Sequence, residues 1–337
     1  MKAIASPNIA FIKYWGKKPF TSDLQRNLAT NASLSMTLSM AKTQVEFRRL
    51  KAGQNSIFTN DLAANPLDTE KILEHLERVR EYAQTPNDFG IEVRSLNNFP
   101  QGTGLASSAS FFCALTLAAL AEFLGEKSAK EHLSGKLRES FSALARRGSG
   151  SACRSVAGGF MKWQGDFAVP VDVDWKLHDT VLIFSKKPKL VSSSQGHDRA
   201  TSSPLFAKRL DGLAARLASV EQALEFRDLH QLGALLETEA LELHEIAATS
   251  LPPIDYLQNP TMRFLAALSR LPTRRNFYFT LDAGPNVHIL SQNPVDDELK
   301  ALLADSKLDP QSWPEFWKDH SGTGPQLVGQ DEIFQLT

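Results

Sequence analysis

Asn98-Phe99-Pro100-Gln101-Gly102-Thr103-Gly104-Leu105-Ala106-Ser107-Ser108-Ala109-Ser110 is the stretch on which the reading of this chain turns. It runs straight into an apolar segment, Phe111 to Leu124, that reads as a helix. Gly102 and Gly104 let a backbone approach a ligand closely, and the helix that follows would aim unpaired N–H groups and its positive dipole end at that ligand. Phosphate is the natural occupant. Ser107 and Ser108 add hydroxyls suited to phosphate oxygens or to a magnesium ion. Gly, Ser and Ala also build plain turns and close helix contacts, so the stretch alone leaves both readings open. It contains no Gly-Lys-Ser/Thr, which excludes the Walker loop.

Outward from this loop the chain alternates strands and helices. Thr43–Arg48 and Ile91–Arg94 alternate apolar and polar residues as half-buried strands do, and Val181–Phe184 is a continuous apolar run typical of a buried strand. Thr69–Tyr82 carries Ile72, Leu73, Leu76 and Val79 on one helical face. Leu210, Leu213, Leu217, Val220 and Leu224 form a second stripe, too short for a coiled coil and read as core packing. A charged turn between Val169-Pro170 and His178 marks the domain boundary, dividing the chain into 1–178 and 179–337. A length of 337 residues fits two domains of roughly 150 residues each.

Composition narrows the classes of function. With 37 basic and 38 acidic residues there is no bulk field to favour nucleic acid or an anionic membrane, so any anionic ligand must be bound locally. Cys113 and Cys153 form neither a metal cluster nor a disulfide scaffold, which fits a reducing cytoplasm. Pro7 and Asn8 interrupt the start, so no signal peptide is expected. The apolar run Phe111–Leu120 is shorter than the roughly 20 residues of a membrane span. A soluble, cytoplasmic protein is therefore expected.

Two further groupings carry charge into unusual surroundings. In Asn8-Ile9-Ala10-Phe11-Ile12-Lys13-Tyr14-Trp15-Gly16-Lys17, two lysines flank aromatics, a pattern that by itself reads first as a solvated surface strand, though cations beside aromatics also suit a ligand bearing several phosphates. In Gly148-Ser149-Gly150-Ser151-Ala152-Cys153-Arg154 and in Leu281-Asp282-Ala283-Gly284-Pro285-Asn286, small residues surround one arginine and one aspartate. A structural ion pair for Arg154 and an Asx-turn for Asp282 remain the plain alternatives.

Together with Asn27–Leu38, Val191–Gly196 and Leu251–Ile254, these segments closely resemble the mevalonate diphosphate decarboxylase family, of the superfamily that holds galactokinase, homoserine kinase and mevalonate kinase. The resemblance implies a two-domain α+β kinase-like fold with its active site in the interdomain cleft. Residues 1–178 would form the ATP-binding domain, and 179–337 would contribute the catalytic aspartate. It implies ATP and Mg2+ as cofactors and mevalonate 5-diphosphate as substrate, in a lyase step of isoprenoid biosynthesis. By position, Asp282 resembles the catalytic aspartate, Lys13 the lysine paired with it, and Arg154 the arginine that grips the substrate carboxylate. Asn8, Tyr14, Lys17, Lys71, Ser151 and Ser192 match substrate-site positions. Gly102, Gly104, Ser107 and Ser108 match the ATP loop, with the two serines as metal contacts.

The chain departs from the family pattern at Ala29 (commonly Pro), at Gln101-Gly102-Thr103, at His197 (commonly Met) and at Lys71 (an Arg position). Action on a mevalonate monophosphate and a catalytically silent nucleotide sensor are the alternatives. A homodimer is one assembly open to it, and the sequence does not fix oligomeric state.

Overall fold

In the computed structural model, residues 1–100, 105–187 and 189–329 are described. They hold three sheets. The first runs, edge to edge, Gln326–Val328 (β14), Lys2–Ala5 (β1), Thr43–Lys51 (β4), Phe89–Asn97 (β7), Asn55–Thr59 (β5) and Leu62–Ala63 (β6). The second is Asn8–Ile12 (β2), Ser33–Thr37 (β3), Phe160–Gln164 (β8) and Phe167–Val171 (β9), antiparallel throughout. The third is Phe277–Thr280 (β11), Val287–Ser291 (β12), His178–Ile183 (β10) and Glu315–His320 (β13). Between β9 and β10 the chain crosses 172–177 without regular structure. Near its end it returns to the first sheet, where Lys2 pairs with Val328.

The helices are Pro66–Tyr82 (α1), Ser107–Leu124 (α2), Glu126–Glu131 (α3), Gly135–Gly148 (α4), Ser193–Ala200 (α5), Phe206–Glu225 (α6), Leu229–Thr249 (α7), Asn259–Leu268 (α8) and Asp296–Asp305 (α9). Helix α1 starts three residues before Thr69, where the sequence pattern begins it, because Asn65 caps it, accepting from the Asp68 N–H at 3.0 Å, with Pro66 in the first turn. Helix α2 extends the apolar run read from the sequence to 18 residues, enough by length and composition alone to cross a membrane. Its side chains are instead buried, Phe112, Leu115, Ala118 and Ala119 among them, in the core between the first sheet and helices α1 and α4. A helix covered on every side needs no polar face, which is why it lacks a stripe.

A second core joins the two halves. Ile9, Phe11, Leu34 and Phe160 of the second sheet pack with Val181 and Ile183 of β10, Leu213 and Leu217 of α6, and Leu232 and Leu236 of α7. Asp319 of β13 locks this arrangement, accepting from the N–H groups of Ser39, Met40 and Ala41 at 2.7–2.8 Å. The strand that leads into Lys13 and the loop that carries Asp282 are thereby set on one continuous packed body.

Candidate active site

A cleft of about 950 Å³ opens where the two halves meet, lined by residues of both. That is the upper end of the range for ligand sites. At its floor Lys13 Nζ donates to Asp282 Oδ1 at 2.9 Å across 269 residues of sequence. Strand β2 is buried along its whole length, so Lys13 is no surface cation; only 1% of its side chain is exposed. Asp282 sits in the turn between β11 and β12, where its own carbonyl accepts from the Gly284 N–H at 2.7 Å. The backbone makes that turn, leaving the carboxylate to the lysine. Burial alone would raise the Asp282 pKa; the Lys13 ammonium overrides it and holds the carboxyl below its ordinary range. Burial lowers the Lys13 pKa, and the Asp282 charge opposes that.

Arg154 is buried beside them, yet the acceptors around it are neutral. Its Nε donates to Ser35 Oγ at 3.1 Å and Asn8 Oδ1 at 3.3 Å, and Nη1 donates to Ser33 Oγ at 2.6 Å. Asn8 in turn donates to the Ser151 carbonyl at 3.1 Å and to Ser155 Oγ at 2.9 Å. Tyr14 lies between Trp163, which it meets edge-on, and His197, with ring centroids 4.7 and 4.0 Å away, and burial raises its pKa. Gly150 permits this, because a Cβ there would lie 2.5 Å from the Tyr14 ring.

Elsewhere in the cleft lining, Ser107 and Ser108 open α2 behind Ala106, whose φ of 40° turns the chain sharply into the helix. No side chain caps that N-terminus. The Ala109 N–H is taken by the Ala106 carbonyl at 2.8 Å, and the N–H groups ahead of it are the donors that a helix start leaves for a ligand. Ser149 Oγ donates to Ser108 Oγ at 3.3 Å. Gly102 and Gly104 lie outside the described residues. Lys17 reaches Ser194 Oγ at 2.8 Å and Asp198 at 3.3 Å. Burial lowers the Lys71 pKa, with the Lys17 charge adding to the effect. Ser192 lines the cleft, but its hydroxyl is engaged as a capping box with Gln195 at the start of α5.

The cleft also draws on residues the sequence did not single out. Lys189 donates to the Ala283 carbonyl at 2.5 Å and Ser193 Oγ at 3.0 Å. His197, noted only as a departure, accepts the Gly16 N–H on Nδ1 at 3.2 Å, which places its ring proton on Nε2. Arg26, Arg78 and Arg147 converge on Asp23 at the rim. Burial works to raise the Asp23 pKa, but hydrogen bonds from Arg147 and Arg78 prevail and set it at about 2. Behind the floor, burial and then the Lys13 charge push His244 down to about 4. Among the described residues no group of three His, Cys, Asp or Glu side chains could hold a metal ion.

Residues 5–169 match the model of the diphosphomevalonate decarboxylase-like N-terminal domain, and residues 180–331 match that of the mevalonate 5-diphosphate decarboxylase C-terminal domain. The chain belongs to the mevalonate diphosphate decarboxylase family. The diphosphomevalonate decarboxylase of Saccharomyces cerevisiae is 32% identical over 323 residues, covering 86% of this chain and 77% of the yeast protein. That of Ganoderma lucidum is 30% identical, covering 95% and 84%. Among solved structures, the mevalonate diphosphate decarboxylase of Staphylococcus aureus superposes with a TM-score of 0.81 at 30% identity over 97% of both chains. A decarboxylase solved in complex with MVAPP, AMPPCP and magnesium gives a TM-score of 0.81 at 31% identity, covering 97% and 98%. The two-domain α+β kinase-like fold of the family is thus the fold of this chain.

Proposed function

We propose that this decarboxylase converts mevalonate 5-diphosphate and ATP into isopentenyl diphosphate, ADP, phosphate and carbon dioxide. The observation that carries the residue assignment is the Lys13–Asp282 contact at 2.9 Å on the floor of a cleft that also holds Arg154, Ser107 and Ser108. A tertiary hydroxyl leaves poorly, so it is first converted to a phosphate ester; departure of that phosphate and loss of carbon dioxide then form the double bond. Asp282 orients the hydroxyl and accepts its proton as the phosphoryl group arrives. A carboxylate kept ionised by Lys13 is suited to that late capture rather than to strong-base attack.

Arg154 brings to a substrate carboxylate a buried guanidinium whose hydrogen-bond acceptors are all neutral oxygens. A pair made equally in ground and transition states supplies alignment. Ser107, Ser108 and the start of α2, with Gly102 and Gly104, receive the ATP phosphates. Magnesium, when bound, neutralises charge on the phosphoryl groups. Two serine hydroxyls without an acidic cluster fit an ion that keeps water and phosphate oxygens as its other ligands, and Ser107 and Ser108 would hold it. Asn8, Tyr14, Ser151 and Ser192 shape the substrate side, and Lys17 and Lys71 meet its diphosphate. The domain division at 178/179 and a cytoplasmic location belong to the same reading, the latter supported by two buried free thiols, Cys113 and Cys153.

The test is product analysis with purified protein, ATP, magnesium and mevalonate 5-diphosphate. Carbon dioxide should appear in step with ADP, and Asp282→Asn should abolish turnover while ATP still binds. ADP without carbon dioxide would reduce the chain to a kinase, and near-normal turnover by the variant would remove Asp282 from its role.

A further inference from the structure

Lys13 stands one residue beyond β2, where its main chain has run out of sheet partners. The β2–β3 ladder pairs Ala10 with Ser35 and Ile12 with Leu34, shifting register between them, and goes no further. A peptide group buried at that point needs other partners or is left unsatisfied. A helix pair supplies them. Glu239 of α7 accepts the Lys13 N–H on Oε2 at 3.0 Å. The Lys13 carbonyl receives Arg209 Nη2 of α6 at 3.3 Å and Asn31 Nδ2 at 2.9 Å.

The two helix residues are themselves clamped. Arg209 donates to both Glu239 oxygens, at 2.8 and 3.2 Å, and both side chains are 0% exposed. Arg216 adds a contact to Glu239, and Glu242 accepts from both arginines at 2.5 Å. Burying such charges is costly, and apolar residues of the same volume often stabilise a fold as well or better. Apolar residues could not direct hydrogen bonds onto one peptide. On the same helix, Glu237 pairs with Arg275 and accepts the Phe279 N–H at 3.2 Å, a comparable carboxylate whose bonds go to the third sheet.

We propose that Glu239, held by Arg209, is a positioning residue that fixes the Lys13 backbone from which the ammonium reaches Asp282. The proposal rests on the reading of Lys13 and Asp282 given above. Lysine is a point charge on a flexible four-carbon stem, so its aim depends on where the stem is rooted. A displacement of about 1 Å at a reacting group costs on the order of a hundredfold in rate. Glu239 stands outside the cleft lining, so its effect must pass through Lys13.

Glu239→Gln, which keeps size and an acceptor oxygen but loses the charge that clamps it, is compared with Glu237→Gln. The expected result is a kcat about 10- to 100-fold lower for Glu239→Gln, with KM for ATP and mevalonate diphosphate within about threefold of wild type. Glu237→Gln should lower the unfolding midpoint without that loss of kcat. Hydrogen exchange of the peptide spanning 10–16 reports on the clamp without turnover and should be faster in Glu239→Gln than in Glu237→Gln. Unchanged exchange, or equal kcat losses in the two variants, overturns the proposal. Should Glu239→Gln fail to fold, Arg209→Lys, which keeps the charge but loses the fork, takes its place; if that also fails to fold, the network serves stability and the proposal falls. Wild-type protein that releases no carbon dioxide refutes the functional reading instead, and the exchange comparison still judges the clamp.

Discussion

Arg154 and Arg209 are buried to nearly the same degree, at 3% and 1% exposure, and are solvated by the protein in opposite ways. Arg209 lies against two carboxylates, Glu239 and Glu242. Arg154 donates only to two serine hydroxyls and an asparagine oxygen, and no carboxylate is in hydrogen-bond contact with it among the described residues. Neutral oxygens soften the desolvation of a guanidinium but leave its charge uncompensated, whereas carboxylates cancel it. The difference teaches that burial alone does not distinguish a structural cation from one held ready for an anionic ligand; the chemistry of its partners does.

The widest break in that comparison should come from Arg209→Met. It leaves Glu239 deprived of its main partner, and losing one member of a buried pair costs about 3–5 kcal/mol. Urea unfolding would measure it, and a loss below about 1 kcal/mol would mean that Arg216 alone neutralises the site.

Arg154→Leu should invert the pattern. Unfolding free energy should stay within about 1 kcal/mol of wild type, because the lost hydrogen bonds are offset by removal of a buried charge. The value of kcat/KM should fall on the order of a hundredfold. A substrate analogue lacking the carboxylate should lose little in the same variant. Equal losses with both substrates would place Arg154 alongside Arg209 as a structural cation.

Asp23 offers a third, milder case, with three guanidinium groups around one carboxylate that is 39% exposed. Its pKa is depressed to about 2. A depressed carboxyl stabilises the fold above its unfolded pKa near 4, and that contribution is lost as pH falls towards the folded value. Asp23→Asn should therefore flatten the acid side of the stability profile between about pH 4 and pH 2, by about 1 kcal/mol or less because solvent screens the cluster. Identical acid slopes for variant and wild type would show that the ion pairs contribute nothing measurable.

What the sequence discloses and what it hides follow the same division. Arg154, Ser107, Ser108 and Asp282 stand among glycines, serines and alanines, and a charge set in small residues advertises close approach, while Lys13 is marked instead by the aromatics that follow it; the structure brings all five into one cleft. Glu239 and Arg209 carry no such sign. In Glu237-Thr238-Glu239-Ala240-Leu241-Glu242 an acid facing two arginines of another helix looks like any solvated helix acid. Only the packing of α6 on α7 reveals its partner, 30 residues away. Lys189 follows Lys186 and Lys187 and reads as a loop charge, although it contacts the Ala283 carbonyl beside Asp282. Helix α2 was legible as apolar but not in its extent, since polar Ser107, Ser108 and Ser110 form its first turn.

The return of β14 to β1 gives the order of synthesis a structural meaning. On the ribosome, β1 emerges before β4, its partner some forty residues further along, while its other edge finds its native partner only when residues 326–328 emerge. Between the synthesis of β4 and that of β14 the nascent sheet therefore carries an open strand edge, the kind of surface on which neighbouring chains pair wrongly and which a holding chaperone would cover.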